Sequence, residues 1–163
     1  METNHEVLGI DIGKVIIDGD TDASIFGENF LETASVPQSV ETISRLVQER
    51  FHERTHLISK CGERVQMRTK RWLDHRGFYQ QTHVSPERVH FCLKRFEKVG
   101  ICQRFGVTHF IDDRLEILSY LVGIVPHLFL FRPNPAEVER FARALPSVQR
   151  VESWEEIGVY LLS

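Results

Sequence analysis

No apolar run in this chain approaches the ~20 residues a membrane-spanning helix needs, so no membrane partner is expected. A leader peptide is not expected either. Met1-Glu2-Thr3-Asn4-His5-Glu6 is polar and lacks the basic-then-apolar order of a signal sequence. Cysteine is scarce. Cys61, Cys92 and Cys102 are odd in number and form no paired motif, which predicts free thiols in a reducing, cytoplasmic setting. None of the eight histidines has zinc-site spacing with a cysteine, so they read as scattered surface or core residues. Positive charge is not in excess. Twenty Lys and Arg face 23 Asp and Glu, the net charge is −3 and the pI is near 6.2, so no bulk field draws the chain to nucleic acid or anionic lipid. Linkers, repeats and low-complexity tracts are lacking as well. The 163 residues suit one domain, 1–163, with a sizeable core.

What is present is a strand–helix alternation organised around Val7-Leu8-Gly9-Ile10-Asp11. This apolar run lacks polar alternation, as a strand buried on both faces would, and it ends in a carboxylate. Phe110-Ile111-Asp112-Asp113-Arg114 repeats the pattern with two adjacent carboxylates. In open α/β sheets, ligands bind beyond the carboxyl ends of the strands. Three carboxylates there make a hard-cation site, because buried carboxylates need partners.

Other segments complete the pattern. Residues 23–34 show no clear period. Ser35-Val36-Pro37-Gln38 reads as a helix start, with Val40, Ile43, Leu46 and Val47 on one apolar face. Thr55 to Ser59 reads as a strand. Residues 63–77 read as a basic helix carrying Arg64, Arg68, Lys70, Arg71 and Arg76 around Trp72, with Gly77 as its stop. That helix is either a nucleic-acid surface with an aromatic for stacking or a solvated face with Val65, Trp72 and Leu73 turned inward. The negative total charge favours the second. Val89 to Leu93 (strand), 94–105 (helix), Val107 to Ile111 (strand), Leu115 to Leu121 (helix) and Val125 to Phe131 (strand) follow. Pro126 in the last of these suits a strand start or an edge. Asn134-Pro135 opens a helix to about Ala144, and Ser153-Trp154-Glu155-Glu156 is a capping box for the last one. The expected fold class is α/β with a mostly parallel sheet flanked by helices. The strands ending at Asp11, Ser59 and Asp112 are expected side by side.

In this order, the motifs resemble those of the haloacid dehalogenase (HAD) superfamily of phosphohydrolases, with a Rossmann-like fold. Asp11-Ile12-Gly13-Lys14-Val15-Ile16-Ile17-Asp18 is similar to the family's first motif, whose leading Asp is the nucleophile. Ser59 stands where the second motif puts a phosphate-binding hydroxyl, with Lys60 beside it. Lys98 fits the third motif, with Lys94 as the competitor, and Asp112 and Asp113 fit the metal-binding fourth. The Lys98-to-Asp112 arrangement most resembles the 5′-nucleotidase-like branch.

The resemblance implies a Mg²⁺-dependent phosphatase acting through an aspartyl-phosphate on Asp11. Asp11, the Gly13 carbonyl, Asp112 and Asp113 would hold the metal. The substrate would be a phosphorylated small molecule, a nucleotide among the candidates, with nucleic acid disfavoured. The oligomeric state stays open. Neither the interval from Asp18 to Ser59 nor that from Lys98 to Asp112 has room for a domain of ~50 residues, so no large cap is expected. One departure stands out. The family's second Asp, the general acid/base, is here Gly13, so the alternative is a phospholigand- or partner-binding protein with little or no turnover. Two rival motif readings fail. Gly9 to Val15 is one residue short of a P-loop and lacks the Ser or Thr after Lys14. In a receiver domain the acid pair precedes the lysine, whereas here it follows.

Overall fold

Six parallel strands form one sheet in the order β3-β2-β1-β4-β5-β6. The computed structural model describes residues 5–19 and 27–162. The strands are β1 (Leu8–Ile10), β2 (Thr55–Lys60), β3 (Val89–Cys92), β4 (His109–Asp112), β5 (His127–Phe131) and β6 (Val148–Val151). Between them run α1 (Ser39–Leu46), α2 (Glu63–His75), α3 (Phe78–Thr82), α4 (Glu97–Phe105), α5 (Leu115–Leu121), α6 (Pro135–Arg140) and finally α7 (Trp154–Leu161). The chain leaves β1 toward β2 and β3, then returns past β1 to β4. The order therefore reverses between β1 and β4, and a crevice forms at their carboxyl ends.

Alternation along each strand feeds two cores. Leu57, Ile111, Phe129 and Phe131 face a core closed by α1, α2, α3 and α7, with Ile43, Leu46, Trp72, Phe78, Trp154 and Ile157 among its members. Ile58, Phe110, Leu128 and Leu130 face a second core closed by α4 and α5, through Cys102, Leu115, Leu118 and Leu121. Burial on both faces is why these strands read as unbroken apolar runs. Gly9 is fixed by close approach. A Cβ there would lie 2.7 Å from a Phe110 ring carbon.

Several boundaries differ from the sequence reading. The first helix starts at Ser39, not after Ser35: Ser35 pairs with Ile17 in an antiparallel bridge, and Gln38 takes a left-handed turn at φ 67°. The helix expected over 94–105 begins at Glu97, whose carboxylate accepts the Lys94 N–H at 2.7 Å. The helix expected to reach Ala144 stops at Arg140, and a 3₁₀ segment with Pro146 inside it follows. β6 was not read from the sequence. Its Gln149 and Arg150 are exposed at the sheet edge, which hides the apolar signal. Pro126 lies just before β5, at the strand start. Ser153 and Asn134 cap as expected, accepting from Glu156 N at 3.1 Å and Ala136 N at 2.9 Å.

The basic helix α2 follows the solvated-face reading. Trp72 is fully buried and cannot stack on a base; its indole donates to the Thr33 carbonyl at 2.9 Å. Arg68 and Arg71 lie over the Phe30 ring, Lys70 over Phe91 and Arg76 over Trp72 itself. The cations thus pack along the helix against aromatic faces. Gly77 ends the run with φ 64° and donates to the Asp74 carbonyl. No helix among the described residues is long and apolar enough to cross a membrane. All three cysteines are free thiols.

Candidate active site

The crevice at the reversal point holds the acids. Asp11 extends the ladder by one bond beyond β1, its N–H donating to the Ile111 carbonyl at 2.9 Å. The chain then turns tightly. The Ile12 carbonyl accepts from the N–H groups of Val15, Ile16 and Ile17, and Lys14 N donates back to the Ile17 carbonyl at 2.9 Å. Ile12, Val15, Ile16 and Ile17 point into the core, which leaves Gly13 and Lys14 on the cavity side. The left-handed conformation falls on Lys14, at φ 65°. Buried Trp154 anchors this turn, donating its indole N–H to the Val15 carbonyl at 2.8 Å. A helix at the far end of the chain therefore fixes the loop after Asp11.

Lys98, on α4, reaches the acids from below. Its Nζ lies 3.1 Å from Asp11 Oδ1 and 2.8 Å from Asp112 Oδ2, with 1% of the side chain exposed. The ammonium also lies over the Phe110 ring, the ring for which Gly9 makes room. Asp112 uses its other oxygen to accept Arg114 N–H at 2.9 Å. One carboxylate oxygen from each of Asp11, Asp112 and Asp113 lies within 4.8 Å of the other two.

Electrostatics follow from this crowding. Burial works against the Lys98 charge, but Asp11 and Asp112 outweigh it and hold its pKa above the usual lysine value. Burial, then Asp11 beside it, push Asp112 up to about 6. Burial, then Asp11 and Asp112, push Asp113 up to about 9. One ammonium does not balance three carboxylates, so the set retains a proton near neutral pH. A hard divalent cation with oxygen ligands fits this donor set and would take the place of that proton.

Above the acids opens a cavity of about 330 Å³. Ser59 and Lys60 line it from the end of β2, and Gly62 lines it at the start of α2. Asp113, Arg114 and Arg95 complete the wall. The seven residues expected from the sequence (Asp11, Gly13, Ser59, Lys60, Lys98, Asp112 and Asp113) all meet here, six at the acids or the cavity wall and Lys98 beneath. Lys94 does not; it is exposed on the surface. The sequence reading missed Lys14, Arg95, Arg114 and Thr69 as wall residues. Arg95 follows the end of β3, and the strand-end rule would have marked it. Among the described residues no second domain packs over Asp11.

An α/β sheet of this order places acids from β1 and β4 at its reversal point. Two solved structures share this fold, one of them described as haloacid dehalogenase-like. A D,D-heptose 1,7-bisphosphate phosphatase of Burkholderia thailandensis superposes with a TM-score of 0.58 at 13% identity, over 97% of this chain and 99% of that one. A "putative haloacid dehalogenase-like hydrolase" of Burkholderia xenovorans LB400 gives 0.58 at 17% identity, over 83% and 62%. In sequence, the chain is 27% identical over 122 residues to a "Putative nucleotidase" of Bacillus cereus, which is 75% of this chain and 58% of that relative. The match thus spans under two thirds of the relative's length. No family model matches the chain.

Proposed function

We propose that this chain, read as one domain over residues 1–163, is a Mg²⁺-dependent phosphomonoester hydrolase with Asp11 as nucleophile. The observation that carries the reading is the convergence of Asp11, Asp112 and Asp113 on buried Lys98 beneath a cavity rimmed by cations. Asp11, Asp113 and the Gly13 carbonyl would hold the metal, with Asp112 behind them. When bound, Mg²⁺ would neutralise charge between a dianionic ester and an anionic nucleophile and act as a Lewis acid.

The remaining work falls to the chain. A carboxylate oxygen of Asp11 would attack phosphorus in line, forming an aspartyl-phosphate as the ester oxygen leaves and takes a proton from solvent; water then cleaves that acyl phosphate. Lys98, 3.1 Å from Asp11 Oδ1, would orient the nucleophile. Ser59 Oγ–H and the N–H groups at the start of α2, beside Gly62, would donate to phosphoryl oxygens, with Lys60 adding charge. The substrate would be a phosphorylated small molecule. The Bacillus cereus relative supports a nucleotide among the candidates, and three free thiols suit a cytoplasmic setting.

Gly13 favours a second reading. Its position at the cavity offers no side chain to protonate a leaving group, so the same site would serve a phospholigand-binding protein with slow turnover. Aryl phosphate hydrolysis, assayed with Mg²⁺, with a chelator and with Asp11→Asn, separates the two. Metal-dependent turnover lost in the variant supports the hydrolase. Tight phosphate binding without turnover supports the binder.

A further inference from the structure

The cavity does not end at the carboxylates. Beside it lies a second hollow of about 280 Å³ that shares Lys14, Arg95, Asp113 and Arg114 with the first and reaches to Glu137 and Arg140 at α6. Four cations and three carboxylates line it, counting Glu116. The two signs are not equally available. Glu116 accepts from Arg95 Nη1 at 3.1 Å and from the Tyr120 hydroxyl at 3.0 Å. Glu137 accepts the Leu115 and Glu116 N–H groups at the start of α5, at 2.8 and 3.3 Å. Asp113 belongs to the acid cluster. Every carboxylate is therefore engaged. Lys14, Arg114 and Arg140, in contrast, form no ion pair with a described residue. Arg114 does lie near enough to Asp113 to offset part of its repulsion, and Arg140 rests over the Phe141 ring. Asn134 accepts from Ala136 N through Oδ1, so its amide nitrogen is a further donor beside the hollow.

Resting on the reading of the first cavity as the reacting-phosphate site, we infer that the second hollow binds another phosphoryl group of the same substrate. The molecule taken would be a small bisphosphorylated compound. Three cations outside any ion pair with a described residue, and an amide, around one hollow match a dianion, which makes several charge-assisted bonds at once, better than a neutral leaving group. The hollow adjoins the cavity above Asp11, with Lys14, Arg95, Asp113 and Arg114 lining both, so one small molecule could span the two.

The test uses the Asp11→Asn protein with Mg²⁺, so that nothing turns over. Calorimetry compares alkanediol bisphosphates of increasing length with the matching monophosphates. The best bisphosphate is expected to bind about tenfold or more tightly than its monophosphate, the effect of one or two charge-assisted contacts. Arg140→Ala, added to this background, is expected to bring the ratio close to one. Arg143→Ala removes the same charge from an exposed residue outside the hollow and is expected to keep it. A ratio near one in the parent protein, or equal losses in the two variants, would overturn the subsite. An ω-carboxyalkyl phosphate that matches the bisphosphate would overturn its assignment to phosphoryl groups. Aryl phosphate hydrolysis by the unmodified protein reports separately. No hydrolysis with a retained preference removes the catalytic reading and leaves the subsite. Hydrolysis without a preference does the reverse.

Discussion

The ammonium of Lys98 lies 2.8 Å from Asp112 Oδ2, and neither side chain is more than 1% exposed. The same nitrogen reaches Asp11 at 3.1 Å. A charge set this deep is held by its partners alone. Removing one member of a buried pair leaves the other uncompensated, at roughly 3–5 kcal/mol. Lys98→Met should therefore destabilise the protein by about that much in urea unfolding and lose activity as well. Mg²⁺ should restore part of the stability, because it answers the same carboxylates. A variant as stable as the parent without metal would show that the pair is not the strut described.

Asp11→Asn acts in the opposite direction on stability. It removes one of three mutually repelling carboxylates while keeping an oxygen toward Lys98. Aryl phosphate turnover should vanish, since a neutral amide cannot attack phosphorus and is a poor Mg²⁺ ligand. Unfolding free energy without metal should equal or exceed that of the parent. Residual turnover in this variant would remove the covalent mechanism.

Asp112 and Asp113 should separate by role. Asp112 is committed on both oxygens, to Lys98 and to Arg114 N–H, whereas Asp113 lines the cavity. Mg²⁺ should raise the melting temperature of the parent, with about 2.7 kcal/mol gained at a hundred times Kd. The gain should grow with pH, because binding displaces a proton from an acid whose pKa stands near 9. Asp113→Asn should remove most of it. Asp112→Asn should chiefly lower basal stability. A thermal-shift titration in Mg²⁺ at two pH values reads both, and equal metal responses in the two variants would contradict the assignment.

How much of this was legible in sequence depended on burial. Asp11 and Asp112 announced themselves because each ends an apolar run, and such a run is apolar only when both sheet faces are covered. Lys94 and Lys98 are indistinguishable by composition. Lys94 precedes α4 and Lys98 lies in its first turn, so only the helix start at Glu97 decides which is the buried strut and which the surface charge. β6 escaped notice because an edge strand exposes its middle residues. Lys14, Arg95 and Arg114 lie on three separate strand-end loops, so no spacing links them. The sheet order brings them together, and that order rests on crossovers that local periodicity does not record.

Two buried histidines, His56 and His109, make stability fall in acid. His56 donates or accepts through Nδ1 to His90 Nε2 at 2.9 Å, and His109 stacks on His127 at 4.4 Å between ring centroids. Burial, then His90 and Arg88, hold His56 at about 4; burial, then His127 and Arg50, hold His109 at about 4. An unfolded histidine titrates near 6.5. The unfolded chain thus takes up protons first. The stability from these rings is complete above about pH 6.5 and is lost as pH falls through about 4. His56→Gln and His109→Gln should each flatten the loss by on the order of 1–3 kcal/mol. Asp112 and Asp113 titrate with the opposite sign, so the reading is the difference between variant and parent in urea unfolding. Parallel pH profiles would refute it.

The final prediction turns on Gly13. A positioned general acid contributes about 10²–10⁴-fold by protonating the departing oxygen. Glycine offers no carboxyl to the cavity it lines. An alkoxide leaving group should then depart slowly, whereas a phenolate or an acyl phosphate needs little help. Water attack on the aspartyl-phosphate lacks the same base, so that intermediate should accumulate. The unmodified protein should prefer aryl over alkyl phosphates and turn over slowly on both. The backbone permits a direct test, because the left-handed conformation falls on Lys14 and not on Gly13. Gly13→Asp should raise the alkyl-phosphate rate more than the aryl-phosphate rate, by up to about 10²-fold. The measurement is the ratio of the two kcat/KM values before and after substitution. Fast hydrolysis of alkyl phosphates by the unmodified protein would mean that another group supplies the proton, and the preference argued from Gly13 would fall.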